Sequence, residues 1–280
     1  MERVRRSWAL ARSSWGVLGA HRELLLLPVL SAVAATACAA PFFGSALVLA
    51  IGGTRTSPVH PGLFGYGLML IGYLVGAYVA MFFQSALVHA ANERLAGGRP
   101  TLGSAVGGAA SRAGQLLPWA LLSATVSVVL RSVQQRSGLV GRLVTGLVGI
   151  AWTFVTFLVL PIIVVEGSGV RDALSRSTAA FRSTWGEHVA GHVGLGLLTG
   201  LATLAGVVVV APVFVVGASA GQPAAVVAAL VVLLVWLVVV AIVSGALGAV
   251  YRTALYRFAV LGEEPEGFTA EQIRGAFTSR

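Results

Sequence analysis

"AAVVAALVVLLVWLVVVAIVSGALGAV", residues 224–250, is a stretch of 27 residues without a charged side chain. An α-helix rises about 1.5 Å per residue, so this stretch is long enough to cross the roughly 30 Å of hydrocarbon in a bilayer. The whole chain agrees with this, because only 10% of its residues are charged, against about 25% in soluble domains. Its mean hydropathy is +0.88. The sequence therefore predicts a protein that needs lipid as its solvent.

Five further apolar runs in the chain resemble this one. Together they give six candidate spans, at residues 24–51, 63–91, 116–130, 143–165, 189–216 and 224–250. The third is short because Arg131 follows it. The predicted fold class is all-α, a polytopic transmembrane helical bundle of six spans with amphipathic interfacial helices on the cytoplasmic side. We expect one transmembrane domain over residues 1–258 and a cytoplasmic tail over residues 259–280.

The arginines predict the orientation, because basic residues favour the cytoplasmic side during insertion. With both termini inside, fifteen of the nineteen basic residues and all ten acidic residues are cytoplasmic. The outside then holds only Arg55, Arg131, Arg136 and Arg142. Either the segment 131–142 caps a tilted third span, or the third and fourth runs are miscounted. The expected location is the bacterial plasma membrane.

Two polar segments have the pattern of amphipathic helices. The first is "RDALSRSTAAFRSTWGEH", residues 171–188, with the preceding Val170. On a helix, one stripe would hold Val170, Leu174, Ser177, Phe181 and Trp185, and the rest of the surface would include Arg171, Arg176 and Arg182. Near the N-terminus, Trp8 and Trp15 share a stripe opposite Arg12. We expect both helices to lie on the membrane surface and to contact anionic headgroups. The alternative is a solvated helix packed on the bundle.

These segments also resemble each other. "ALARSSW" at 9–15 matches "ALSRSTA" at 173–179, and an apolar run follows each. The chain can thus be divided into three units, 3–91, 100–165 and 169–258, each a surface helix followed by a two-span hairpin. Alternatively, any polytopic protein with amphipathic connections shows such a pattern.

Three stretches carry a resemblance to a known family: "RSWALARSSWGVLGAHRELLLLPVLS" at 6–31, "LPIIVVEGSGVRDALSRS" at 160–177 and "RTALYRFAVLGEEPEGFTAEQIRGAF" at 252–277. They resemble an uncharacterised family of prokaryotic, actinobacterial-type integral membrane proteins, a domain of unknown function. The C-terminal junction is also similar to the membrane domain attached to some glycerophosphodiester phosphodiesterases. The resemblance implies a six-span fold and no activity, ligand or catalytic residue.

Polar residues near the predicted cytoplasmic ends of the spans form a candidate cluster, because hydrocarbon makes polar groups costly unless they face the bundle interior. Its members are Gln84, His89, Asn92, Glu93, Glu166, Arg252 and Arg257. We expect Glu93 or Glu166 to pair with Arg252 or Arg257. The alternative is that each residue only anchors its own helix in the headgroups. Glu166 ends the fourth span after a kink expected at Pro161.

Motifs for catalysis or metal binding are weak. "GASAG" at 217–221 has the G-x-S-x-G spacing of a nucleophile elbow, but Ser219 is predicted in a turn without a nearby acid. His188 and His192 lack a third ligand nearby, and Cys38 is the only cysteine. Glycines at 72–76 and 196–200 have the G-x-x-x-G spacing of close helix packing. We predict no catalytic, cofactor or metal residues.

Three function classes stay open. We favour a non-catalytic membrane component that binds lipid or partner proteins and no nucleic acid. The first alternative is a transporter for a small molecule or lipid, which the repeated units and the polar face of the second span favour. An intramembrane enzyme would need a nucleophile or metal constellation that the pattern does not supply.

Overall fold

The computed structural model describes residues 26–51, 62–136, 138–185 and 193–263. This part of the chain is 90% helical and contains no strand, which confirms the all-α class. The helices are α1 (Leu26–Ile51), α2 (Leu63–Leu95), α3 (Leu102–Ser111), α4 (Ala113–Arg136), α5 (Leu139–Val155), α6 (Val159–Glu166), α7 (Val170–Trp185), α8 (Val193–Ser219) and α9 (Pro223–Tyr256), followed by a π-helical turn (Arg257–Leu261).

Six helical segments are long and apolar enough to cross a membrane, as predicted. They are α1, α2, α4, the pair α5 and α6 together, α8 and α9. The third is longer than its apolar core, because α4 continues through Arg131 to Arg136. Arg142 lies in the first turn of α5. The arginines at 131–142 therefore belong to the ends of two helices, and the segment is mostly helix.

The spans are arranged as three antiparallel hairpins, α1 with α2, α4 with α5, and α8 with α9. In the first, a Cβ at Gly72 would lie 2.9 Å from Cβ of Phe42, so glycine permits this close approach. In the third, Trp236 covers Gly206 and donates from Nε1 to the carbonyl of Ala202 at 2.9 Å. The predicted close packing at Gly196 and Gly200 is not found, because the space beside both glycines is open.

The three hairpins contact one another mainly at one end of the bundle. We call this end, formed by residues 85–95, 112–120, 158–164 and 246–256, the packed end, and most buried side chains lie there. The opposite loop end is marked by Gly62, Gly138 and Gln222. Toward the loop end the hairpins expose Val and Leu side chains, which suits contact with lipid tails.

The fourth span is broken between Val155 and Val159. Pro161 cannot donate a backbone hydrogen bond, and its ring would clash with the carbonyl four residues earlier, at Phe157. The break therefore lies just before the proline rather than at it. The freed carbonyl groups of α5 need other partners, because hydrocarbon offers none.

The order of elements repeats along the described chain. The short helix α3 precedes the hairpin of α4 with α5 and α6, and α7 precedes the hairpin of α8 and α9. The surface helix of the first predicted unit lies outside the described residues. A duplication of this unit, and the division into residues 1–258 and 259–280, remain predictions.

Candidate functional site

Glu166 is the centre of a polar cluster at the packed end. The helix α6 ends there because Gly167 adopts the left-handed conformation, with φ of 72°, as a helix C-cap. One carboxylate oxygen, Oε1, accepts from the Tyr256 hydroxyl at 2.8 Å. The other, Oε2, accepts from Ser168 at 3.1 Å and forms an ion pair with Arg176. One side chain thus ties α6 to both α7 and α9.

The broken fourth span is completed by side chains from neighbouring helices. Ser177 is buried and donates from Oγ to the carbonyl of Val155, the last residue of α5, at 2.5 Å. Arg112 donates from Nε to the carbonyl of Val164 at 3.3 Å, and its guanidinium lies against Gly167. Both contacts satisfy helix-end carbonyls that lack partners within their own helix.

Arg257 joins α2 to the end of α9. Its two terminal nitrogens donate to Asn92 Oδ1 at 2.9 Å and to Glu263 Oε2 at 2.5 Å. The arginine is largely buried, whereas Glu263 is half-exposed. Arg257 also begins the π-helical turn, which ends at Gly262 in the left-handed conformation, with φ of 70°. Such turns are frequent at functional sites.

Arg252 lies one turn before Tyr256 and has different surroundings. Its Nε donates to the carbonyl of Gly248 in the same helix at 3.1 Å. The guanidinium carbon lies 5.9 Å from the centre of the Phe157 ring, within the range of a cation–π contact. Phe157 belongs to the break between α5 and α6, and its ring also meets Tyr251 edge to face.

The helix α3 is fixed on α2 by two of the predicted polar residues. Glu93 accepts from Ser104 at 2.8 Å, and Ser104 forms a capping box with Thr101 at the start of α3. The ring of His89 lies against Gly108, where no side chain larger than hydrogen fits without movement. These contacts give both residues a structural role.

The structure brings some of the predicted polar residues into contact, in pairs other than those expected. Within the described residues, Glu166 pairs with Arg176 and Glu93 bonds to Ser104, rather than either acid to Arg252 or Arg257. Asn92 joins the cluster through Arg257. Gln84 is exposed and is not brought to the other members. The charges are distributed this way because α7 folds back across α6 and supplies Arg176.

Sequence reasoning missed Arg112, Arg176, Ser177 and Tyr256 as partners in this cluster. Glu166 and Tyr256 are 90 positions apart in sequence, and no periodic pattern reports such a contact. One available signal was the Glu-Gly pair at 166–167, because a glycine directly after an apolar helix predicts its C-cap.

The described part of the α7 stripe packs on the bundle, as in the alternative of a helix packed there, and contact of this helix with headgroups remains a prediction. Val170 and Leu174 contact the core, and Ala173 and Ser177 are buried. Arg171 and Arg176 lie on the exposed face, and the side chain of Phe181 lies outside the described residues. The stripe packs against α4, α5 and α6 because it covers the break between α5 and α6. The side chains of Arg182 and Trp185 lie outside the described residues, as do Trp8, Arg12 and Trp15.

The weak catalytic motif has a structural explanation. Ser219 is the last residue of α8, and its hydroxyl donates to the carbonyl of Val216 at 3.1 Å. Across the described ranges, no group of three or more His, Cys, Asp or Glu side chains could hold a metal ion. His188 and His192 lie outside those ranges.

The six spans and the helices that cover one end of them define a multi-pass α-helical membrane protein. A family model described as a family of unknown function (DUF6159) matches residues 63–267. The chain belongs to this family. No curated protein and no solved structure matches it. The actinobacterial type and the similarity to the phosphodiesterase membrane domain remain predictions.

Proposed function

We propose that this protein is a non-catalytic component of the bacterial plasma membrane that binds anionic lipid headgroups at its packed end, which faces the cytoplasm. The supporting observation is the combination of a rigidly attached α7 with an outward-facing basic surface. Ser177 and Glu166 fix the helix on the bundle. Arg171 and Arg176 then project from a surface that does not have to fold when a headgroup binds.

The charge at the packed end favours an anionic partner. The arginines described there are Arg94, Arg99, Arg112, Arg171, Arg176, Arg252 and Arg257, and the acids are Glu93, Glu166, Asp172 and Glu263. Among the described residues, this leaves an excess of positive charge. A basic side chain close to an anionic leaflet contributes about 1 kcal/mol of attraction. The same excess supports a cytoplasmic position for this end.

A lipid transporter is the second candidate. The repeated order of surface helix and hairpin is typical of transporter folds and favours it. A water-soluble substrate fits poorly, because the exposed faces of the hairpins toward the loop end are Val and Leu. A transported molecule would therefore have an acyl chain. The transporter and the lipid-binding component share the same ligand class and differ in whether lipid crosses the membrane.

Lipid selectivity tests the proposal directly. The full chain is reconstituted in nanodiscs of equal phosphatidylglycerol and phosphatidylcholine, extracted, and the co-purifying lipids are counted by native mass spectrometry. We expect enrichment of phosphatidylglycerol, reduced by the double variant R99Q/R171Q. The matched control R131Q/R136Q removes two exposed arginines from the loop end. Equal retention of both lipids by the unmodified chain would refute the proposal.

Orientation is tested separately by labelling in intact cells. Cys38 is replaced by serine, and single cysteines are introduced at Ser175 on the exposed face of α7 and at Gln222 at the loop end. We expect a membrane-impermeant maleimide to label position 222 and to reach position 175 only after permeabilisation. The reverse pattern would place the packed end outside the cell.

A further inference from the structure

Arg252 is a cation without an anionic protein partner in the described chain. It is half-buried, and its neighbours Tyr251 and Thr253 are buried. A guanidinium carries five N–H donors. Within the described ranges only Nε donates, to Gly248, so the four N–H groups of the terminal nitrogens are left without a protein acceptor.

The acids at the packed end are committed to other donors. Glu166 is bound by Arg176 and Tyr256, Glu263 by Arg257, and Glu93 by Ser104. Asp172 is exposed in the first turn of α7. A charge half-removed from water is costly unless an opposite charge compensates it. The described residues supply no such charge to Arg252, and an external anion would compensate it.

The surroundings of Arg252 suit a phosphate group. The guanidinium carbon lies 5.9 Å from the centre of the Phe157 ring, and the terminal nitrogens of an arginine can make paired hydrogen bonds to phosphate. The helix α6 begins two residues after Phe157 and has no side-chain cap at Leu158.

The position of Arg252 along α9 matches the depth of lipid phosphates. From Pro223 at the loop end, a helix rises about 44 Å to reach Arg252. A bilayer is about 40–45 Å thick when the headgroup layers are included. Arg252 thus lies at the headgroup level of the packed end, deeper in the protein than the exposed arginines of α7.

We propose that Arg252, above Phe157 and beside the start of α6, binds the phosphate of one anionic phospholipid. This site deepens the proposed function and rests on it, because it names the single position where a headgroup is held specifically. The exposed Arg171 then contributes only general attraction. The shared chemistry is an oxyanion of phosphorus, which a lipid or free inorganic phosphate could supply.

The test compares the full-length chain with R252Q, R252K and the control R136Q, which removes an exposed arginine at the loop end. Each protein is delipidated in detergent and titrated with phosphatidylglycerol, then with phosphatidylcholine, and bound lipid is measured by native mass spectrometry. We expect R252Q to weaken binding of the first phosphatidylglycerol about tenfold or more, because charge-assisted paired hydrogen bonds are lost. R136Q should change it less than about twofold. Helicity and elution volume must match those of the unmodified chain.

R252K keeps the charge and removes the planar fork, so it should show intermediate binding and serves if R252Q does not fold. Equal affinities for R252Q and R136Q, with phosphatidylglycerol still preferred over phosphatidylcholine, would overturn the Arg252 site alone. Loss of that preference in the unmodified chain would overturn the proposed function as well. A parallel titration with 10 mM phosphate distinguishes the sources, because displacement of lipid by phosphate would overturn a lipid as the ligand.

Discussion

The two halves of α9 have different surroundings. Residues 230–239 are mostly exposed Val and Leu, and of the other described helices α8 is their main contact. Residues 246–256 include Ala246, Ala249 and Ala254, all buried, and end at the fully buried Tyr256. A single helix is thus stabilised by lipid in one half and by protein in the other. Small residues mark the half where helices approach closely.

The same difference holds across the molecule. Toward the loop end each hairpin is held mainly within itself, as Trp236 on Gly206 shows. At the packed end, contacts join all three hairpins, including the bonds of Glu166 to Tyr256 and of Arg257 to Asn92. We therefore expect mutations at the packed end to unfold the bundle and those toward the loop end to be tolerated.

Overpacking α9 should give the largest effect. Ala249→Leu adds three heavy atoms at a site that is 2% exposed, and should lower the free energy of unfolding by about 3 kcal/mol. Ala241→Leu makes the same change on the exposed face of the same helix and should alter it by less than about 0.5 kcal/mol. Loss of helicity on titration with sodium dodecyl sulfate measures both. Similar midpoints for the two variants would contradict the comparison.

Removing the central carboxylate should give the next effect. Glu166→Ala leaves the Tyr256 hydroxyl without its acceptor and removes the partner of Arg176, at a cost of about 2 kcal/mol. The ion pair itself contributes little of this, because Arg176 is half-exposed. Glu166→Gln keeps an acceptor for Tyr256 and should cost about 1 kcal/mol or less. Thermal unfolding in detergent distinguishes the two variants. A larger loss of stability for Glu166→Gln than for Glu166→Ala would show that the acceptor for the Tyr256 hydroxyl is not the source of the stabilisation.

The spans could be predicted from sequence because a helix in lipid must satisfy its own backbone and be apolar along its length. The apolar run at residues 224–250 was therefore sufficient to predict the membrane-spanning part of α9. The end of α9 was harder. It continues to Tyr256 through Arg252, because those polar residues find hydrogen-bond partners at the packed end.

The partners of the polar residues could not be predicted, because they depend on how helices distant in sequence meet. Glu166 and Arg257 were both recognised as candidates, yet their acceptors and donors come from α7, α9, α2 and the chain after α9. The stripe on α7 was recognised as well. Periodicity alone does not distinguish an apolar face that meets lipid from one that meets protein.

Two glycines with positive φ offer a smaller test at opposite ends. Gly167 at the packed end has φ of 72°, and Arg112 occupies the space beside it; Gly221 at the loop end has φ of 63° and open space. Alanine should cost about 1 kcal/mol at Gly221 from backbone strain alone. Gly167→Ala should cost about 1 kcal/mol more, because it also displaces Arg112 from the carbonyl of Val164. The two midpoints in one detergent titration give the difference; equal costs would show that Arg112 contributes nothing.

The smallest effects should be two changes in stability of opposite sign, from alanine at neighbouring glycines of α3. Gly107 is exposed with open space beside it, whereas the next residue, Gly108, is covered by the His89 ring. Gly107→Ala should stabilise the protein by about 0.5 kcal/mol, because alanine loses less backbone freedom in a helix.

Gly108→Ala gains the same propensity but must move His89, a rigid ring on α2, so we expect a net loss of about 1 kcal/mol. The double variant Gly108→Ala with His89→Ala should recover most of this loss, because it removes the ring that the new methyl group meets. Protease resistance of the folded chain in detergent, measured as a function of temperature, is sensitive enough for differences of this size. If both alanines stabilise equally, α3 is not packed on α2 through His89.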